Sequence, residues 1–199
     1  MQQFVETIKI EDGKALNLNF HQARMERTMR HFFAYTPVPV LSGILSPTPD
    51  MHFYKARVVY GEQGVEDVQY APYAMREIRS LKLVEDNEID YSFKSTDRAC
   101  LNRLTAQKGD CDEVLIVKNG LLTDTSFTNV AVFDGERWLT PKHPLLLGTK
   151  RASLLERQVI READISVETL MNAQKVSLIN AMVDLGEIEI TMRMVNRGL

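Results

Sequence analysis

Three short segments of this sequence carry side chains whose types are able to do chemistry together. The first is LGTKR at residues 147–151, where a turn meets the start of a predicted helix. The unpaired N–H groups and partial positive charge of a helix start suit a phosphate, and Gly148 would let a ligand approach the backbone closely. Taken alone, such a segment is more often an ordinary helix cap.

The second segment, residues 123–129, places one carboxylate, Asp124, among small and hydroxyl side chains. It lies between two predicted strands, where alternating apolar residues are typical, so its short side chains leave room and hydrogen bonds for a polar ligand. A loop rich in Thr and Ser, in which Asp124 caps a turn, explains the same residues equally well.

The third segment, residues 90–98, contains Lys94. Aromatic residues at positions 91 and 93 would place Lys94 on the opposite face of a strand from both. A lysine shielded from water loses its proton more readily and becomes a nucleophilic amine. A solvated surface lysine is the commoner interpretation of any single such residue.

A lysine amine, a carboxylate and a phosphate cradle are together what a pyridoxal phosphate site needs. The amine forms a Schiff base with the aldehyde of the cofactor, and the acid keeps the pyridine nitrogen protonated, so that the ring acts as an electron sink. Arg24 would add a forked contact to the phosphate, and His21 lies one helical turn before it. A solvated helix face is the alternative for both residues.

The elements that must position these residues are mixed helices and strands, which predicts an α+β fold. Strands are predicted at residues 4–10, 15–19, 51–60, 73–84, 113–118, 130–133, 138–140 and 176–182. Helices are predicted at residues 21–35, 97–108 and 152–163. We predict a smaller front domain, residues 1–86, and a larger, strand-rich back domain, residues 87–199.

Composition excludes several classes of protein. The 199 residues include 24 Lys plus Arg against 27 Asp plus Glu, and 44% are hydrophobic. These figures argue against disorder and against a nucleic-acid partner, which needs a basic surface. Cys100 and Cys111 form no C-x-x-C pair, so a disulfide framework or a metal site has little support. With no apolar run of membrane-spanning length and no signal-peptide core, we expect a cytoplasmic protein.

Five segments resemble, in order, the class IV aminotransferase family of fold-type IV pyridoxal phosphate enzymes. They are FVETIKIEDGK, HQARMERT, FKSTDRACLNRL, CDEVLIVKNGLLTDTSFTNVAVF, and WLTP followed by LLLGTKRASLLE. The family includes branched-chain aminotransferases, D-amino acid aminotransferases and 4-amino-4-deoxychorismate lyases. The resemblance implies a D-amino acid aminotransferase-like fold, pyridoxal 5′-phosphate as the cofactor, and a homodimer.

The resemblance also implies roles for single residues. Lys94 would be the Schiff-base lysine and proton shuttle, and Arg24, from the motif H-x-x-R, would hold the cofactor phosphate. Asp124 stands where the family has a Glu that faces the pyridine nitrogen, and Asn129 matches the Asn that closes this motif. Four further residues, expected at two phosphate-binding turns, are Thr149, Lys150, Asn180 and Ala181.

Three features depart from the family pattern. Asp124 is one methylene shorter than Glu, so its reach to the ring nitrogen needs a backbone shift or a water. The phosphate turn usually reads Gly-Ile-Thr-Arg, whereas here Lys150 displaces a hydroxyl and either pairs with the phosphate or points to solvent. The sequence starts close to its FVET motif, so we expect an altered edge of the front domain or an altered dimer contact.

Residues 176–182, VSLINAM, resemble the Asn-Ala-Leu stretch of the lyases more than the Thr-rich loop of the aminotransferases. The resemblance therefore implies a lyase that releases pyruvate and 4-aminobenzoate, with Lys94 removing the proton at the amine-bearing carbon. A D-amino acid or branched-chain aminotransferase is the alternative, and an inactive cofactor-binding scaffold is a third. Substrate carboxylates need a cation, and we predict Arg57 for this role, although a strand Arg facing water is equally consistent.

Overall fold

The computed structural model describes residues 2–197, which fall into two compact units. The first unit comprises the chain up to Met75 together with Phe93–Asp97, and the second comprises Arg76–Ser92 and the chain from Arg98 onward. Lys94 therefore belongs to the same unit as the front of the chain. The division at residue 86 stays a prediction about domains.

A four-stranded antiparallel sheet with a helix packed on it forms the first unit. Its elements are β1 (Phe4–Glu11), β2 (Lys14–Ala15), α1 (Leu18–Phe32), α2 (Leu41–Ile44), β3 (Phe53–Gly61) and β4 (Gly64–Pro72). The strands are ordered β2-β1-β3-β4. Asp12 and Gly13, both with positive φ, form the tight turn between β1 and β2, as the Asp-Gly pair predicts.

The core of the first unit lies where one face of the sheet meets α1. Side chains alternate along a strand, so every second residue of β1 and β3 points into this core, for example Ile8 and Val58. Helix α1 contributes Met25 and Met29, which lie one turn apart. Glu6 occupies the same face of β1 as Ile8 and is fully buried, which puts a carboxylate into an otherwise apolar core.

A larger mixed sheet forms the second unit. Its elements are β5 (Leu81–Glu85), α3 (Ala99–Thr105), β6 (Glu113–Lys118), β7 (Leu121–Thr125), β8 (Asn129–Phe133), β9 (Trp138–Pro141), α4 (Thr149–Glu156), β10 (Ile160–Ala163), α5 (Val167–Met171), β11 (Lys175–Ile179), β12 (Glu189–Thr191), a 3₁₀ helix (Met192–Met194) and β13 (Val195–Asn196). The sheet runs β10-β9-β8-β7-β6-β5-β13, with β11 also paired to β8 and β12 paired to β11. The predicted α+β fold class is confirmed.

The helix predicted at residues 152–163 is wrong in its bounds. Helix α4 begins at Thr149 and ends at Glu156, and Gln158, with a φ of 57°, takes the left-handed conformation that interrupts the helix. Residues 160–163 instead form β10, which pairs in parallel with β9. The start at Thr149 matters for the site, because the first residues of α4 are those expected at a phosphate.

Several strand predictions also differ from the structure. The strand predicted at residues 15–19 stops at Ala15, because Asn17 is left-handed and α1 begins at Leu18. The strand predicted at residues 73–84 is reduced to β5. The sequence pattern does not predict β4. This edge strand contains charged and amide residues that interrupt the alternation of apolar and polar side chains. Across residues 2–197 no helix combines the length and the apolar character that crossing a membrane requires.

Truncation of Ile8 tests how strongly the first unit depends on the core beneath α1. Ile8 is fully buried, so Ile8→Ala should lower the free energy of unfolding by about 2–5 kcal/mol, because it removes packed methyl groups and leaves a cavity. Ile8→Val, the conservative control, should lower it by about 1 kcal/mol. Urea unfolding followed by circular dichroism measures both values, and equal losses in the two variants would contradict this packing.

Candidate active site

A buried carboxylate on β1 binds two side chains of α1 in the first unit. Glu6 Oε1 accepts a hydrogen bond from Arg24 Nε at 2.9 Å, and Glu6 Oε2 accepts one from Arg24 Nη2 at 2.5 Å. His21 Nδ1 lies 2.6 Å from the same Oε2 atom. Because His21 and Arg24 are three residues apart on one helix face, a single carboxylate reaches both. Arg24, the predicted phosphate ligand, is thus held by an acid that the motifs did not reveal.

Charge and burial set the protonation states in this cluster. Burial alone would raise the pKa of Glu6, but the Arg24 guanidinium and the hydrogen bond with His21 bring that pKa down to about 2. Burial lowers the pKa of His21 more than Glu6 raises it, and the charges of Arg24 and Lys94 lower it further. The His21 ring is therefore neutral at pH 7, and the hydrogen-bond pattern assigns its proton to Nδ1, which donates to Glu6.

A second guanidinium lies beside this pair. Arg27 follows Arg24 by three residues on α1, and its pKa is lowered first by burial and then by the charge of Arg24. Burial raises the pKa of Tyr60 far above its usual value, so the phenol stays neutral. With His21 and Tyr60 uncharged, the cluster sets two guanidinium groups against the single carboxylate of Glu6.

Lys94 is anchored to β1 through its backbone. Its carbonyl oxygen accepts a hydrogen bond from the Val5 N–H at 3.0 Å, and a single bridge joins Ser95 to Phe4. The predicted strand through residues 91–94 does not form, because Tyr91 packs in the core of the second unit while Lys94 belongs to the first. The Lys94 side chain is half-buried, and its positive charge contributes to the lowered pKa of His21.

Arg57 lies on β3 and does not join the Glu6 cluster. It stands opposite Thr7 and Gln69 in the sheet register, on the face that points away from the core. Its nearest acid is Asp67, at 4.0 Å, and both side chains are partly exposed. This placement is compatible with a carboxylate ligand and with a strand Arg facing water.

In the second unit, the Asp124 carboxyl group is buried and accepts two hydrogen bonds. Asn129 Nδ2 donates to Oδ1 at 2.7 Å, and the Leu146 N–H donates to Oδ2 at 2.9 Å. Asn129 Nδ2 also donates to the Leu146 carbonyl oxygen at 2.8 Å. Asp124 lies within β7, directly opposite Asn129 at the start of β8, so the alternative of a turn cap is wrong.

The environment of Asp124 favours the protonated acid. Burial raises the pKa of Asp124 to about 7, because the hydrogen bonds from Leu146 and Asn129 and the charge of Arg151 offset only part of the lost hydration. A carboxyl group with such a pKa is poised between its two forms near neutral pH. A cation brought beside it would stabilise the carboxylate.

Gly148 allows Asn129 to reach its partners. A Cβ atom at position 148 would lie 1.9 Å from Asn129 Oδ1, a distance that no side chain tolerates. The sequence led us to expect that Gly148 gives a ligand access to the backbone, whereas in the structure it gives space to Asn129. Because Gly148 is also the N-cap of α4, one side chain fixes Asp124 relative to the start of this helix.

Thr149 and Lys150 are the first two residues of α4, so their N–H groups lie at the start of the helix, before its repeating backbone hydrogen bonds begin. Both residues are buried. The Lys150 ammonium forms an ion pair with Asp184, so the alternative in which it points to solvent is wrong. The next residue, Arg151, donates to the Glu162 carboxylate at 2.6 Å.

Asn180 and Ala181 follow β11 directly. Asn180 Oδ1 accepts hydrogen bonds from the N–H groups of Met182 and Val183, at 2.8 and 3.0 Å, and so closes a tight turn. Its Nδ2 donates to the Phe127 carbonyl oxygen at 3.3 Å. The loop after β11 is thereby tied to the segment that joins β7 to β8.

The structure thus divides the predicted site residues between the two units. Those of the first unit are Arg24, Arg57 and Lys94, and those of the second are Asp124, Asn129, Thr149, Lys150, Asn180 and Ala181. Sequence reasoning did not identify three partners of these residues: Glu6, the Leu146 N–H and Asp184. Among the residues from 2 to 197, no group of three or more His, Cys, Asp or Glu side chains is arranged to hold a metal ion.

Comparison with known proteins identifies the family. A family model described as amino-transferase class IV matches residues 64–189, which is more than half of the chain. A protein of Haemophilus influenzae without an assigned function is 39% identical over 186 residues, which cover 92% of this chain and 98% of that protein. The chain belongs to the class IV aminotransferase family.

Two further proteins that are similar to this chain carry provisional names. A Schizosaccharomyces pombe protein, provisionally named an aminodeoxychorismate lyase, is 32% identical over 189 residues, covering 85% of this chain and 82% of that protein. The crystal structure of a Haemophilus somnus 129PT protein, provisionally named a 4-amino-4-deoxychorismate lyase, has a TM-score of 0.86 and 35% identity over 93% of this chain and 98% of that one. The family depends on pyridoxal phosphate, so this chain is a pyridoxal phosphate-dependent enzyme with the fold-type IV architecture predicted from its sequence.

Adding one methyl group at Gly148 tests the contact with Asn129. Gly148→Ala should displace Asn129 and remove one buried hydrogen bond from Asp124, which costs about 1–3 kcal/mol. We therefore expect the affinity for pyridoxal phosphate, measured by absorbance titration, to fall roughly tenfold or more. Gly43→Ala is the matched control, since nothing lies within 4 Å of its new Cβ atom. Equal affinities in the two variants would rule out the proposed contact.

The raised pKa of Asp124 predicts a pH dependence of stability in the cofactor-free protein. Between its ordinary pKa of 3.8 and its folded-state pKa of about 7, the folded protein retains a proton that the unfolded chain releases, so this residue makes stability fall as pH rises. Asp124→Asn removes the titration. The free energy of unfolding of the original protein relative to this variant should decrease by roughly 3 kcal/mol between pH 4 and pH 7. Urea unfolding at several pH values measures it, and parallel curves would refute this assignment.

Proposed function

We propose that this chain is a 4-amino-4-deoxychorismate lyase, which releases pyruvate and 4-aminobenzoate for folate biosynthesis. The observation that carries the proposal is the link through Asn129 between a buried acid, Asp124, and the start of α4. Such a link would hold the partner of a pyridine nitrogen and the donors to a phosphate at a fixed separation. Two relatives at 32% and 35% identity bear the name of this lyase, which supports it over an aminotransferase.

The residues of the second unit fit pyridoxal phosphate by their chemistry. A protonated ring nitrogen is the cation that the buried carboxyl group of Asp124 lacks, and it would hold that group as a carboxylate at pH 7. Two backbone N–H groups at the start of α4 and the Thr149 hydroxyl are donors suited to a phosphate. The Lys150 ammonium has three N–H donors and would bind the phosphate while it keeps its ion pair with Asp184. We assign Asn180 and Ala181 to the same phosphate, on the family pattern.

The first unit would supply the reactive amine and further cations. Pyridoxal phosphate, when bound, offers an aldehyde that condenses with amines and a ring that accepts the electrons released at the substrate carbon. Lys94 would bind the aldehyde in the resting enzyme and remove the proton from the amine-bearing carbon of the substrate. Arg24 would bind the phosphate, and Arg57, whose guanidinium is partly exposed, would bind a substrate carboxylate.

The oligomeric state and the compartment also belong to this proposal. The family resemblance supports a homodimer. The two cysteines, Cys100 and Cys111, are both free, which is typical of a reducing compartment and supports a cytoplasmic location. The acidic balance of the chain, with a net charge of −3, supports a small-molecule substrate and not a nucleic-acid partner.

Substitution of Lys94 tests the assigned chemistry. The protein with pyridoxal phosphate should convert 4-amino-4-deoxychorismate to 4-aminobenzoate, and Lys94→Ala should lower this rate by at least about a hundredfold, because Lys94 is the base assigned to remove the proton. Lys94→Arg keeps the positive charge without a nucleophilic amine and should be equally slow. Lys14→Ala, at an exposed lysine of the same unit, should keep the original rate.

The products separate the lyase from the other two functions. Amino transfer from alanine or leucine to 2-oxoglutarate without any 4-aminobenzoate would replace the lyase with an aminotransferase. Cofactor binding with neither reaction would indicate a scaffold without catalysis. Release of 4-aminobenzoate at the original rate by Lys94→Ala would overturn the role of this lysine.

A further inference from the structure

We infer that Glu6 is a positioning residue that fixes the Arg24 guanidinium for phosphate recognition, and that His21 holds Glu6 in place. The inference rests on the proposed role of Arg24 as a phosphate ligand and extends the site to two residues that need not touch any ligand. It concerns only residues of the first unit.

The contact between Glu6 and Arg24 has the geometry that fixes a guanidinium plane. Nε and Nη2 of Arg24 each donate to a different oxygen of Glu6, at 2.9 and 2.5 Å. Two parallel hydrogen bonds of this kind prevent rotation of the planar group, whereas one contact would allow it. Glu6 is fully buried and Arg24 is 7% exposed, so water hardly competes for these bonds.

His21 restrains the same carboxylate from a second direction. Its Nδ1 lies 2.6 Å from the oxygen of Glu6 that also receives Arg24 Nη2. Because the ring is neutral, it adds a hydrogen bond without adding charge. His21 therefore fixes the orientation of Glu6 independently of Arg24, and Glu6 in turn fixes the Arg24 guanidinium.

The charges of the cluster remain favourable to an anion. The Glu6 carboxylate alone would cancel most of the attraction between the Arg24 guanidinium and a phosphate. Arg27, however, adds a second guanidinium within range of Arg24. Lys94 adds a further positive charge that acts at His21. The first unit thus combines an oriented Arg24 with a net positive environment, which is what recognition of a dianionic group requires.

Stability alone is a poor reason for this arrangement. A buried ion pair is often no more stabilising than apolar residues of similar volume, and the neighbours of Glu6 on this face of β1, Phe4 and Ile8, are apolar. A purely structural pair and a positioning pair make different predictions. Loss of a purely structural pair weakens the binding of every ligand equally. Loss of a positioning pair weakens the binding only of ligands that carry a phosphate.

The test compares pyridoxal phosphate with pyridoxal, which has the same aldehyde and ring but no phosphate. The dissociation constants of both ligands are measured by equilibrium dialysis with the cofactor-free protein. The dissociation constant of pyridoxal divided by that of pyridoxal phosphate reports the contribution of the phosphate. Glu6→Asp keeps the charge and withdraws the carboxylate by one methylene, so we expect this ratio to fall about tenfold or more. Glu11→Asp, on the same strand and paired with Lys9 at 3.1 Å, is the matched control and should keep the ratio.

A second pair of variants gives an answer even where Glu6→Asp does not fold. His21→Ala removes the contact with Glu6 and should lower the ratio. His21→Asn places an amide nitrogen close to the position of Nδ1 and should restore it. Because both ligands experience the same cavity at position 21, the cavity itself cancels in the ratio.

Arg24→Lys separates failure of this inference from failure of the proposed function. If Arg24→Lys leaves the ratio unchanged, the assignment of Arg24 to the phosphate is wrong. If Arg24→Lys lowers the ratio while Glu6→Asp and His21→Ala leave it unchanged, only the positioning role is overturned. When Arg24 is already Lys, adding Glu6→Asp should not change the ratio further, because its effect acts through the arginine.

Discussion

A carboxyl group taken out of water must either meet a cation or keep its proton, and this constraint shapes both units of the protein. Glu6 meets the guanidinium of Arg24, so its pKa falls to about 2 and the group is charged at neutral pH. Burial raises the pKa of Asp124 to about 7, because the amide donors of Asn129 and Leu146 and the charge of Arg151 offset only part of the lost hydration. Two buried acids therefore differ in protonation because their neighbours differ in charge.

The shorter acid at position 124 depends on the backbone around it. Its two oxygens are held by a side-chain amide and by the Leu146 N–H, which lies just before the turn into α4. That turn comes close enough only because Gly148 has no Cβ atom to collide with Asn129. Each oxygen of the Asp124 carboxyl group thus accepts a hydrogen bond, but these bonds do not fully offset the burial of the acid.

Local signals in the sequence were sufficient for much of the fold. The strand predicted at residues 113–118 coincides with β6, and the Asn119-Gly120 pair has the positive φ values of a hairpin turn, because alternation and turn chemistry act over a few residues. The pairing of Lys150 with Asp184 joins residues 34 positions apart and has no local signal. Glu6 is an intermediate case: an acid in alternation with Phe4 and Ile8 on an apolar strand face indicates a buried partner without identifying Arg24.

The two acids also make the two units respond differently to a ligand. The charge of Glu6 is compensated within the chain, so folding of the first unit does not require a bound cation. The deprotonated form of Asp124 is compensated only in part, so a ligand that brings a positive charge to it would relieve a cost of burial in addition to making its own contacts. Because a ligand that binds the folded protein alone stabilises it, a cationic ring beside Asp124 would couple the stability of the second unit to occupancy of the site. In the first unit the charge of Glu6 is already paired with Arg24, so the stability of that unit does not depend on a ligand in this way.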